Sequence, residues 1–198
     1  GLLDYPNHER QVWLKLHPGQ VVATVAQMTW ASETEKAIRG EQEDPESLKR
    51  WLDEYEGYLV ELVNLINSPL KSLERKIIIA LVTTDVHAKD IIAELHKDHI
   101  HEVEAFLWQM QLRYYWEPVP VDDCIIRHSD AKINYGYEYM GATSRLVITP
   151  LTDMCWMTLT ASYGLKLGGA PAGPAGTGKT ESSKDLAKAM AIFCLVFN

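Results

Sequence analysis

The sequence predicts a mostly α chain with small β elements, closing in α/β fashion around a glycine-rich loop. Three observations carry this expectation. Apolar residues recur at helical spacing through the first hundred positions, short aromatic and β-branched runs follow Met110, and GPAGTGKT at 173–180 precedes a further helical run.

A helix is expected over Gln20–Arg39, with Val21, Val25, Met28 and Ser32 on one face after the Pro18-Gly19 break. The acidic residues Glu41, Glu43, Asp44 and Glu46 lack the alternating calcium-ligand pattern and are expected to cap a loop and a helix start. Pro45–Asn67 keeps Leu48, Leu52, Tyr55, Leu59, Leu62 and Ile66 on one stripe until Ser68-Pro69 ends it. Lys71–Leu95 repeats the pattern through Leu73, Ile77, Leu81, Ile91, Ile92 and Leu95, with Thr83-Thr84 an expected weak point or break. His87, His96, His99 and His101 miss the i, i+4 spacing of a helical zinc pair, so a solvated polar face is favoured.

The runs 113–116 (RYYW), 124–126 (CII) and 133–139 (INYGYEY) predict short antiparallel strands between proline- and aspartate-bearing turns. Trp108, Tyr114, Tyr115 and Trp116 are expected in packing rather than base stacking, because basic interleaving is thin. Residues 146–148 read as a brief extended run. Thr149 as N-cap and Pro150 at the first helical position open a helix to Tyr163, ended by Gly164. A domain boundary is expected near Tyr135.

A chain of 198 residues with 46% hydrophobic content can bury a substantial core in one domain or two small ones. A net charge of -8 and a pI near 5.3 argue against a broad nucleic-acid footprint. Three scattered cysteines, Cys124, Cys155 and Cys194, support neither a disulfide framework nor a zinc ribbon, so a reducing compartment is expected. No apolar run approaches a membrane span or a signal core, and a soluble protein is expected. The chain starts at Gly1 rather than Met, and both ends are expected to be cut.

The loop motif carries chemistry. Gly173, Gly176 and Gly178 allow a tight turn whose N–H groups approach phosphate oxygens, with Pro174, Ala175 and Thr177 between them. Lys179 can bridge β- and γ-phosphates, and Thr180 can supply one Mg²⁺ ligand beside waters and phosphate oxygens. Leu186, Ala189, Met190 and Phe193 predict a helix leaving the loop, with Glu181 in its first turn favoured by the dipole rather than acting as a base. Residues 194–197 are expected to form a buried parallel strand. The strand entering the loop, over 167–172, is expected to be short or poorly formed, since LGGAPA has no β-branched residue.

The strings YGYEYMG (135–141), RLVITPLTDMCW (145–156), LGGAPAGPAGTGKTESSKDLAKAMA (167–191) and the closing VFN resemble the dynein heavy chain where its linker meets its first AAA+ module. QVVATVAQMTW (20–30) and LRYYW (112–116) look like the C-terminal part of that linker, so the resemblance covers nearly the whole chain. It implies a helical linker segment over 1–134, followed over 135–198 by the partial α/β P-loop start of the AAA+ module. It makes Gly173–Thr180 the ATP phosphate loop and Thr180 the Mg²⁺ ligand, with Val147, Ile148, Pro150 and Leu151 against the adenine; those four are equally placed to be core residues. Ala172 stands where many members have an acidic residue and Met154 where arginine is common, which leaves local contacts there open.

The resemblance also implies coupling of ATP binding to linker movement in a minus-end-directed, ciliary motor. Expected partners are the remaining AAA+ ring, dynein intermediate and light chains, and microtubules, with neither nucleic acid nor membrane. Expected locations are the cytoplasm, the cytoskeleton and the axoneme. The Walker B strand, the sensors and the arginine finger are expected beyond Asn198, so no catalytic residue is assigned within the chain. Two alternatives stay open: a self-contained small P-loop NTPase or kinase, and a non-catalytic linker interaction module.

Overall fold

A computed structural model describes residues 1–120, 122–141 and 144–197. The chain divides into two compact units, Gly1–Ala105 with Gly141–Val147, and Phe106–Met140 with Ile148–Asn198.

The first unit is helical. A 3-10 turn at Tyr5–Asn7 precedes α1 (Arg10–Leu16), α2 (Gly19–Gly40), α3 (Ser47–Ile66) and α4 (Ser72–Lys97). Helices α2, α3 and α4 pack on one another. Their core includes Trp13, Leu14, Val22, Val25, Leu62, Leu65, Ile77, Ile78 and Leu81. Two of the acidic residues before α3 accept backbone N–H groups at its start: Glu41 accepts from Leu48 N–H at 2.6 Å, and Asp44 accepts from Glu46 N–H and pairs with Arg50, whereas the N-cap residue Glu46 makes no side-chain cap bond. At the start of α4, Glu74 accepts from Lys71 N–H at 2.8 Å. Helix α4 runs unbroken through Thr83 and Thr84, whose hydroxyls donate back to Ile79 O at 3.0 Å and Leu81 O at 2.9 Å.

Inside this unit, Asp85 is fully buried; it pairs with Arg10 Nη2 at 2.5 Å and accepts from Tyr55 OH at 3.1 Å. The Arg10 guanidinium also lies 5.0 Å from the Tyr58 ring centroid. Burial raises the Asp85 carboxyl above its usual range, and the Arg10 charge and both hydrogen bonds oppose that shift.

The second unit opens with α5 (Phe106–Gln109) and an antiparallel sheet of β1 (Arg113–Glu117), β2 (Asp123–His128) and β3 (Ala131–Asn134), in that order. The register sets Tyr114 opposite Ile126 and Ile126 opposite Ile133, so the sheet buries one apolar row. Helix α6 (Pro150–Gly164) packs on β2 and β3, and also on α7 (Lys179–Ala189). Its N-cap is Thr149, which accepts from Thr152 N–H at 3.3 Å. Trp108 and Trp156 are fully buried, whereas Trp116 is exposed and donates to Asp122.

Three expected strands differ. The run 133–139 is strand only to Asn134; the Tyr135 amide still donates to Cys124 O on β2, and the Gly136 and Glu138 amides donate to Met190 O and Ala191 O, just past the end of α7. Residues 146–148 belong to no described strand. Residues 194–197 form no strand and are exposed; helix α7 stops at Ala189, short of Phe193. A parallel strand forms only beside another, and the described sheet is wholly antiparallel. No described strand enters the glycine-rich loop.

Candidate nucleotide-binding site

The loop 173–178 runs directly into α7. Gly178 is its N-cap, in the left-handed region at φ 79° and ψ 13°, and Gly176 shares φ 79°; a side chain at either would be strained. The first i to i−4 bond of the helix is Ser182 N–H to Gly178 O, at 2.8 Å. The N–H groups of Lys179, Thr180 and Glu181 therefore have no intrahelical acceptor, and with the helix dipole they form an anion-binding end.

Lys179 is fixed by its own loop. Its ammonium donates to Gly173 O at 2.9 Å, Pro174 O at 2.5 Å and Thr177 Oγ1 at 3.3 Å, while the Thr177 hydroxyl donates to Pro174 O at 2.9 Å. One cation thus draws together both ends of the turn. Gly173, Pro174, Ala175, Gly176, Thr177 and Thr180 are exposed and Lys179 is half-buried. A triphosphate can reach all of them. Thr180 lies on the second residue of the helix, and no group of three His, Cys, Asp or Glu able to hold a metal occurs among the described residues. A Mg²⁺ bound here would take one hydroxyl from the chain and the rest of its shell from phosphate and water, a donor set that suits Mg²⁺. Glu181 pairs with Lys184 at 2.9 Å on the surface, which lowers its carboxyl.

Of the residues expected against adenine, Ile148, Pro150 and Leu151 belong to the unit that contains the loop, and Val147 to the other. Val147 and Leu151 are 75% and 79% exposed, so neither is a core residue of its own unit. One turn on, Asp153 has its carboxyl pushed up to about 6 by burial.

Sequence reasoning missed the residues that hold α7 from outside, Tyr114, Gly136 and Trp156. Gly136 carried a signal, a glycine inside an aromatic run, which marks close backbone approach.

A glycine turn capping a helix, with lysine and threonine as its first two residues, defines a P-loop nucleotide-binding segment. Residues 135–198 match the family described as the hydrolytic ATP binding site of the dynein motor region. Human dynein axonemal heavy chain 12 is 47% identical over 196 residues, 99% of this chain and 6% of that relative. Human dynein axonemal heavy chain 6 is 46% identical over 100% of this chain and 5% of the relative. The Chlamydomonas reinhardtii dynein-1-beta heavy chain of the flagellar inner arm I1 complex is 42% identical over 96% and 4% respectively. The chain is a dynein heavy-chain segment, homologous over nearly its whole length to axonemal members, and residues 135–198 are the part similar to that family's ATP-binding site. It spans only 4–6% of the length of these relatives.

Proposed function

We propose that Gly173–Thr180 grips the triphosphate of Mg·ATP and that this binding, in a parent heavy chain, drives movement of the linker. The observation that carries this is the conformation of the loop: two left-handed glycines deliver the chain into a helix whose first three N–H groups lack partners inside it. Lys179 would exchange loop carbonyls for phosphate oxygens, and Thr180 would hold Mg²⁺. Ile148, Pro150 and Leu151 would cover the adenine, where apolar side chains gain by leaving water with a flat base.

In this proposal residues 1–134 are the C-terminal part of the linker and 135–198 the start of the first AAA+ module. The parent is a ciliary motor working with the rest of its ring, with intermediate and light chains, and with microtubules in the axoneme. The axonemal relatives support that assignment. Phosphoryl transfer needs charge stabilisation from more groups than one loop offers, so the activity proposed for the 198-residue chain is binding. Equilibrium titration with ATP tests it. Binding should require Mg²⁺, weaken by at least tenfold in Lys179→Ala, and lose most of its Mg²⁺ dependence in Thr180→Ala. Equal affinity in all three proteins would rule the assignment out.

A further inference from the structure

The C-terminal carbonyls of α7 show what seats the helix that carries the loop. Ile192 N–H donates to Ala187 O at 2.9 Å and Ala191 N–H to Lys188 O at 3.1 Å, closing the helix through Ala191 at φ 51°. The next three carbonyls take donors from elsewhere in the same unit. Tyr114 OH donates to Ala189 O at 2.9 Å in a buried contact, Gly136 N–H to Met190 O at 2.9 Å, and Glu138 N–H to Ala191 O at 3.0 Å. Near the other end, Trp156 Nε1–H donates to Ser182 O at 3.1 Å. By contrast, the described hydrogen bonds of residues 173–178 all stay within 173–182. The loop is exposed and, among the described residues, no hydrogen bond ties it outside that stretch, so it goes where α7 goes.

We propose, resting on the ATP-binding assignment above, that Tyr114 is a positioning residue for the nucleotide. Its hydroxyl, on β1 and 75 positions from its acceptor, fixes the seat of α7. An eleven-residue helix is a rigid rod of about 16 Å, so a tether at its end also sets where the loop amides and Lys179 stand. Trp156 steadies the first turn of the same rod.

The test is titration of the 198-residue chain with Mg²⁺ and a fluorescent N-methylanthraniloyl-ATP. Tyr114→Phe keeps the ring and removes only the donor, and should bind about fivefold more weakly, the effect of one lost hydrogen bond on the competent population. Tyr55→Phe, which loses a buried hydroxyl in the other unit, should lower the melting temperature at least as much yet keep wild-type affinity. Replacing Tyr114 by 4-aminophenylalanine restores an N–H donor and should restore affinity. Unchanged binding in Tyr114→Phe, or equal weakening in Tyr55→Phe, overturns the positioning role while leaving the ATP assignment standing. A wild-type chain that does not bind overturns both. If Tyr114→Phe fails to fold, Trp156→Phe is expected to weaken binding likewise, and wild-type affinity there contradicts the proposal.

Discussion

At the scale of single residues, two of the buried ionisable sites, Arg10 with Asp85 and His128, make opposite demands on their surroundings. Arg10 and Asp85 are both charged inside the helical unit, so removing one partner strands the other. Asp85→Ala should destabilise that unit by about 3–5 kcal/mol in urea titration, whereas the paired change Arg10→Met with Asp85→Leu should come close to wild type. His128 is instead kept neutral. Its Nε2–H donates to Met110 O at 2.9 Å, which leaves Nδ1 to accept from the Thr160 hydroxyl at 2.9 Å. Burial, with the Arg113 charge, pushes its pKa from 6.5 down to about 4 against the pull of the Met110 carbonyl. The unfolded chain therefore takes up this proton first: stability is fully present above pH 6.5 and is lost as pH falls towards 4, by on the order of 3 kcal/mol. Asp153, raised by burial to about 6, works in the opposite sense over that window. The difference between wild type and His128→Gln isolates the histidine, and parallel pH profiles for the two proteins would show that it contributes nothing.

At the scale of elements, long helices were legible and the strap at 135–138 was not. Helices α2, α3 and α4 announce themselves because three local signals agree: an apolar stripe, a breaker before it and a breaker after it. Even there, Thr83-Thr84 misled, since hydroxyl back-bonding lets β-branched residues continue a helix that propensity alone would interrupt. The run INYGYEY has the composition of a strand from end to end, yet after Tyr135, whose N–H still donates to Cys124 O on β2, the Gly136 and Glu138 amides donate to the carbonyls of Met190 and Ala191, more than fifty positions away. No periodicity encodes that. A Cβ on Gly136 would lie 2.3 Å from Ala191 O, so Gly136→Ala should force the strap off the helix end. We expect a loss of roughly 2 kcal/mol or more, read as faster amide exchange in the last turn of α7; unchanged exchange there would show that the strap does not hold the helix. The 194–197 run misled for a related reason, because hydrophobic composition identifies a strand only where another strand lies beside it.

At the scale of the whole molecule, the motif and its flanking strings were legible from sequence as a dynein heavy-chain segment, and the homology agrees with that. Compactness was less legible. The sheet Arg113–Asn134 groups with the loop and α7, although a division by family resemblance assigns it to the preceding helices. Tethers such as Tyr114 to Ala189 make that grouping, and they join residues far apart in sequence. The central claim is that the loop amides and the first turn of α7 receive phosphate. Amide NMR of the isotopically labelled chain during titration with Mg·ATP reads those groups one by one. The largest shifts should fall on Gly176, Gly178, Lys179, Thr180 and Glu181, saturate together, and vanish in Lys179→Ala. Saturable shifts elsewhere with these five amides unmoved, or no shifts at all, would contradict it.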